Sequence, residues 1–374
     1  MLPVATAQHG TTAPGAVREV DALPRRDDLD PVRLNRAKKA YTTRHLAARI
    51  DDDPSGYALL SGPGVVPQPG DVVLARVDEI GLHAKLESPV SRRQTLFPGD
   101  EVLIAYGHRY APDQFEAEVP GDLRPLHLVA AGGLAGFVTA KHDDVDDPTV
   151  VRPVGLLADA EGIVTLQRSA PRRTGGRGPA TGGRPRVIGV LGTSMNAGKS
   201  TTVNFLIRGL AQSGLRVSAG KATGTGAGSD PHGFLDAGAA EVLDFTDFGY
   251  ATTFRLDHDQ VRSIFVSLLE ELSVPGTDVI VVEIADGLYQ GETKRLLADP
   301  VFARHVDQVV FASSGALGAV AGVEVLRSHE LHVSAVSGVV TSAPLAVRET
   351  REVLDVPVVN TYELADPDVA RALL

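Results

Sequence analysis

The chain has 374 residues, no cysteine, 43% hydrophobic and 22% charged side chains, and a net charge of −11. That length predicts two domains with substantial cores, and the lack of cysteine excludes disulfides, thiolate metal sites and cysteine nucleophiles. Residues 1–180 carry 21 basic against 24 acidic side chains and residues 181–374 carry 15 against 23, so neither part has the basic excess of a protein that grips nucleic acid along its length.

The opening stretch, MLPVATAQHGTTAPGAVREV, lacks a basic start followed by an apolar core and does not read as a signal peptide. No apolar run approaches the ~20 residues of a membrane span. A cytoplasmic protein without a membrane partner is expected. Residues 1–54 are expected to be a loose leader followed by a basic helix over 31–50, with Pro31 at its first position behind Asp30. The basic side chains of that helix (Arg33, Arg36, Lys38, Lys39, Arg44, Arg49) suit a solvated face or an acidic partner.

Residues 55–168 change to short strands and predict a small, mostly β, barrel-like N-terminal domain. Pro69-Gly70-Asp71 and Pro98-Gly99-Asp100 each precede a β-branched run and resemble one turn-strand unit used twice. Further strands are expected at 83–87, 114–119, 135–140 and 162–167. His108, Arg109 and Tyr110 form the densest polar-aromatic cluster of this part, read either as a recognition loop or as a surface hairpin. Residues 169–186 are almost wholly Gly, Pro, Arg, Ser, Thr and Ala and predict a linker, whose arginines (Arg172, Arg173, Arg177, Arg184, Arg186) either reach a ligand or keep it soluble.

From 187 to 374 apolar strand runs alternate with amphipathic helices. Strands are expected at 187–192, 215–222, 278–285, 308–313, 333–341 and 357–361. Helices are expected at 198–213, 258–273, 292–305, 316–329, 344–354 and 366–374. This pattern predicts an α/β domain with a mostly parallel, doubly wound sheet covered by helices on both faces, and a ligand site at the strand C-terminal edge.

At the first strand–helix junction lies Gly192-Thr-Ser-Met-Asn-Ala-Gly-Lys-Ser-Thr201. Backbone amides at such a junction wrap phosphates, and the helix N-terminus adds a favourable partial charge. Gly192, Thr193, Asn196, Ala197, Gly198, Lys199, Ser200 and Thr201 are therefore candidate nucleotide-binding residues. Lys199 suits the β- and γ-phosphates, Ser200 suits Mg²⁺ and Thr201 the α-phosphate. Glu283 and Asp286 follow the apolar run 279–282, at the same sheet edge, where carboxylates hold Mg²⁺ or accept a proton. An alternative for Asp286 is capping of the helix that starts near Gly291. Lys221 ends a strand and precedes the glycine-rich loop ATGTGAGSDPHG (222–233), of the type that orders over a ligand. Thr225, Asp230 and His232 lie in that loop without a spacing that assigns them roles.

The loop has five residues between Gly192 and Gly198 where four are usual. Read from Thr193, it resembles dethiobiotin synthetase and its relatives, in the P-loop class that also holds cobyrinate amidases, ParA/MinD-type ATPases and nickel-insertion GTPases. The segment 215–226, with Lys221, is similar to the synthetases' second strand and its substrate-contacting lysine. Asp278–Gly287 is similar to their Glu-x-Ala-x-Gly segment, and Val333–Thr341 to the strand leading to base recognition, which makes Thr341 a candidate base contact. The resemblance covers about residues 186–364. Ser194 replaces an aspartate, Thr341 an asparagine and Asp286 a glycine, so the fold and nucleotide binding carry over while the biotin-pathway substrate does not.

The resemblance implies ATP, with GTP as the alternative, and Mg²⁺. It implies a small-molecule anionic substrate and a homodimer as the commonest assembly. The leading expectation is ATP-dependent phosphoryl transfer, of ligase or kinase type, to a carboxylate or hydroxyl, with Lys199, Lys221, Glu283 and Asp286 as the catalytic set. Three other functions occur on this fold. For a nucleotide-switched partner protein, Ser194, Met195 and Asn196 supply no early lysine, which counts against the ParA/MinD branch, and no His or Cys ligands cluster as metal insertion would want. An acyltransferase, as in D-glutamate N-acetyltransferases, would hold a coenzyme A diphosphate in the loop. A polynucleotide 5′-hydroxyl kinase is disfavoured by the acidic charge and the lack of an aromatic-basic groove.

Overall fold

The computed structural model describes residues 24–175 and 183–374. Its barrel sheet draws only on residues 25–163 and its six-stranded parallel sheet only on residues 186–337. The barrel closes on itself through five strands. Thr149–Asp159 pairs with Val72–Glu79, which pairs with Glu101–Tyr106, then Leu134–Lys141, then Leu126–Ala130, which returns to Thr149–Asp159. Closure removes free edges from this core. The two Pro-Gly-Asp turns are built alike. Gly70 and Gly99 take φ of 92° and 93°, a region open to glycine, and Asp71 and Asp100 each accept the amide three residues back at 2.8 Å. The strands they launch pair antiparallel with each other.

The parallel sheet has the spatial order Glu241–Asp244, Val217–Lys221, Val279–Glu283, Arg186–Gly192, Gln308–Ala312, Val333–Ser337. Side chains alternate along each strand. Val187, Leu191, Ile280 and Val282 pack under the helices His258–Leu272, Gly291–Ala298 and Ala316–Ser328. Ile188, Val190, Val279 and Val281 pack on the other face, against Lys199–Gln212 and Ser229–Ala237. Burial on both faces explains why these strands read as continuous apolar runs.

Several expectations are corrected. The helix over 31–50 is two helices, Pro31–Arg36 and Arg44–Asp52, because Lys38–Lys39 instead pairs with Glu101–Tyr106 of the barrel. Its basic residues are not a free face: Arg33 meets Glu101, Lys38 meets Asp100, and Arg44 meets Asp247. Of the leader, residues 1–23 lie outside the described residues, while Arg25–Asp28 is a strand paired with Ala58–Ser61. The strand expected at 162–167 is Gly162–Ile163 followed by the helix Leu166–Ser169. The helix over 292–305 breaks into Gly291–Ala298 and Pro300–His305, with Asp299 as cap and Pro300 at the first position. The strand expected at 357–361 makes only one bridge, Val336 to Val358. In the linker, Arg177 lies outside the described residues, and Arg172 and Arg184 are tied to Glu271 and Asp307 rather than to a ligand site.

The two sheets meet through close backbone contacts and buried charges. A β-carbon on Gly132 would lie 2.0 Å from the Gly226 carbonyl oxygen, so only glycine lets these loops touch. Beside them Arg44 donates to Asp247 at 2.6 Å and lies 3.9 Å from Asp244, while Tyr41 donates to Asp244 at 3.3 Å. Removing one partner of a buried ion pair strands the others. Arg44→Met is expected to lower unfolding stability by about 3 kcal/mol, read from the midpoint of urea denaturation.

Candidate functional site

Strand pairing sets the site. Arg186–Gly192 lies directly beside Val279–Glu283, and Val217–Lys221 lies on the far side of that acidic strand. The phosphate-binding loop, Glu283 and Lys221 therefore emerge side by side at one sheet edge. The loop runs into the helix Lys199–Gln212, whose first-turn amides have no intrahelical acceptor and no side-chain cap. Gly198 takes φ 96°, and a β-carbon there would sit 3.0 Å from the Gly338 α-carbon. A β-carbon on Gly192 would sit 2.8 Å from Lys199 Cγ, so this glycine leaves room for the lysine stem. Gly287 is needed for the same reason: its β-carbon would lie 2.6 Å from the Thr193 carbonyl oxygen, which lets the acidic segment press against the loop.

A cleft of about 550 Å³ opens at this edge. Of the residues expected at the site, Asn196, Gly198, Lys199, Ser200, Thr201, Lys221, Glu283 and Asp286 line it. Gly192, Thr193 and Ala197 form the loop behind the lining. Thr341 does not line the cleft; its hydroxyl donates to the Gly338 carbonyl at 2.8 Å. Asp286 does not cap the next helix either, because the Gln290 side chain accepts from the amides of Glu292 and Thr293.

The charges here are buried. Lys199 is 6% exposed and donates to the Ser194 carbonyl at 2.8 Å. Burial pulls its pKa down, against the pull of Glu283 and Asp286. Lys221 donates to Asp230 and lies 3.4 Å from Glu283. Burial disfavours its charge, but Asp230 and Glu283 outweigh that and hold its pKa up. Lys221 is thus no surface lysine. Burial raises the pKa of Glu283, opposed by Lys221. Its Oε2 is buried without a hydrogen-bond partner. Ser200 lies within hydrogen-bonding influence of both Glu283 and Asp230.

The opposite wall belongs to the barrel. Arg109 and Tyr110, on a short hairpin with Phe115–Glu118, line the cleft. His108, the third member of the cluster, does not line the cleft and accepts the Val119 amide through Nδ1 at 3.3 Å. Asp113, in the hairpin turn, accepts from Asn196 Nδ2 at 2.7 Å. Asn196 has φ 62°, a left-handed conformation that asparagine tolerates better than most residues. Arg255 pairs with Glu118 at 2.7 Å, and Tyr110 packs on Phe254 at 5.4 Å. Asp230 sits in the first turn of Ser229–Ala237, a helix inside the stretch expected to be a glycine-rich loop. Its pairing with Lys221 was not visible in the sequence because Asp230 reaches its partner only through that turn.

The strand–loop–helix junction at the edge of the parallel sheet has the form of a phosphate-binding loop. No protein-family model and no curated protein matches the chain. Among solved structures, the receptor FtsY of the signal recognition particle from Elizabethkingia anophelis, in complex with GDP, is similar over 54% of this chain and 68% of that one, at 16% identity and TM-score 0.35. The 54 kDa signal recognition particle protein of Aeropyrum pernix K1, also with GDP, is similar over 56% of this chain and 50% of that one, at 19% identity and TM-score 0.35. The kinase domain of the Escherichia coli tyrosine kinase ETK is similar over 41% of this chain and 66% of that one, at 14% identity and TM-score 0.29.

Removing the Lys221 cation leaves Asp230 and Glu283 without the counter-charge they share. Lys221→Met is expected to destabilise the fold by about 3–5 kcal/mol. The double variant Lys221→Met/Asp230→Asn should recover much of that loss in the same urea titration, which isolates the charge from the packing.

Proposed function

We propose that the chain is an ATP- and Mg²⁺-dependent enzyme that phosphorylates, or activates by phosphorylation, a small anionic acceptor bearing a carboxylate or hydroxyl. The observation that carries this reading is the two-walled cleft. A phosphate-binding loop, three buried cations and three carboxylates face one volume large enough for a nucleotide and a small second substrate.

The residues fit both ligands. Lys199 lies against the loop with one carbonyl as partner, ready to exchange it for phosphate oxygens. The first-turn amides and Gly198 form the cradle. Ser200 and Glu283, whose Oε2 has no partner, would hold Mg²⁺, and Asp286 stands on the same segment. The metal, when bound, would neutralise charge on the phosphate oxygens. Asp230 and Glu283 orient the Lys221 ammonium, whose remaining N–H donates to the acceptor oxygen. The barrel wall adds Arg109 and Tyr110 to the lining opposite these groups.

Catalysis of this kind rests on positioning and charge neutralisation. Lys199→Ala is expected to lower ADP release by about 100-fold or more, and Glu283→Gln to lower kcat with little change in KM. The assay is steady-state formation of ADP from ATP, or of GDP from GTP, with Mg²⁺ and a panel of small carboxylates and alcohols. Unchanged rates in both variants would refute the site. Stabilisation by acetyl-CoA but not by either nucleotide would replace phosphoryl transfer with acyl transfer. Hydrolysis that required a second protein would make the chain a nucleotide switch.

A further inference from the structure

Among the described residues the buried cations are neutralised, with two exceptions that face the same cleft. Arg44 has Asp247 and Asp244, and Lys221 has Asp230 and Glu283. Lys199 has only a carbonyl and belongs to the phosphate-binding loop. The other exception is Arg109. It is 7% exposed, its Nη2 donates to Gln114 Oε1 at 3.3 Å, and its Nε is buried with no partner. Among the described residues no carboxylate lies within ion-pair distance of it.

A guanidinium cannot shed this cost by losing its proton as a lysine can. Burial lowers the Arg109 pKa, and the more distant Asp286 and Asp113 only partly offset it. Asp113 is itself engaged by Asn196. The imidazole of His83 is pushed down to about 4 by burial and by Arg109, so it is neutral and adds no second positive charge beside the guanidinium. Packing alone does not explain a buried, incompletely satisfied cation at the wall of a cavity. An anion entering the cavity does.

We propose that Arg109 is an anion-binding residue that the barrel contributes to the phosphate-binding cleft, receiving a carboxylate or phosphoryl oxygen of the reacting ligands. This rests on the nucleotide-dependent reading of that cleft and gives the N-terminal barrel its part in it. The hairpin that carries Arg109 touches the loop through Asp113–Asn196 and the parallel-sheet half through Arg255–Glu118, and the guanidinium itself is buried without a ligand.

The test compares wild type, Arg109→Met and Arg109→Lys, each as the full chain. Thermal unfolding is followed without ligand and with inorganic phosphate or malonate, and MgATP and MgADP are titrated by calorimetry. Without ligand, Arg109→Met should unfold at or above the wild-type temperature, since an unpaired buried charge is removed. If the guanidinium meets the terminal phosphoryl group, Arg109→Met weakens MgATP about 10- to 100-fold and leaves MgADP unchanged. If it meets the acceptor, both nucleotides bind as in wild type and the stabilisation by malonate is lost. Arg109→Lys should keep part of whichever effect is seen. Failure of wild type to bind either nucleotide, with phosphate or malonate binding that still depends on Arg109, would remove the ATP reading and leave the anion site standing. Wild-type affinity of both variants for all four probes would overturn the proposal. So would wild type that binds none of them, or a lowered ligand-free unfolding temperature in both variants.

Discussion

Burying several charges together at the edge of a parallel sheet is the constraint on which this structure turns. Each ion withdrawn from water carries a penalty of several kcal/mol unless neighbours restore what water supplied. The sheet order meets that condition by placing Val279–Glu283 between the loop strand and the strand that ends in Lys221. Glu283 then has a lysine on either side. Lys221 is balanced by Asp230 from the next helix. Lys199 has a carbonyl alone as hydrogen-bond partner, and Glu283 Oε2 has none.

The barrel is the second half of that arrangement. Its hairpin closes the cleft and brings Arg109, a third buried cation, to face the loop. The hairpin's position is set by polar contacts at Asn196 and Arg255, and the glycines at 132 and 226 let the two halves approach backbone to backbone. Loosening either contact would both open the cleft to water and displace a guanidinium from the phosphate-binding loop.

Much of the parallel sheet could be read from residues alone, because strands buried on both faces must be apolar throughout. The loop was legible for the same reason of locality: amides, glycines and lysine lie within ten consecutive residues. What stayed hidden depends on distant partners. Glu241–Asp244 is a polar edge strand without an apolar run. Ser229–Ala237, with proline and glycine in it, reads as a loop until Phe234 packs into the core. Lys38–Lys39 leaves a helical pattern because the barrel offers it a strand to pair with. Arg109 reads from the sequence as a surface residue as much as a binding one, and its burial at the cleft wall depends on the packing of the barrel hairpin. The hydrogen bond of Asn196 to the barrel side chain Asp113 has no local signal in the loop sequence.

The central claim is that the loop and Glu283 together bind a nucleotide through Mg²⁺. The most direct measurement is calorimetric titration of the wild-type chain with ATP, with Mg²⁺ present and then with the metal chelated. The account predicts saturable one-to-one binding that weakens strongly without the metal and disappears in Lys199→Ala. Absence of binding to wild type, or binding indifferent to both the metal and Lys199, would contradict it.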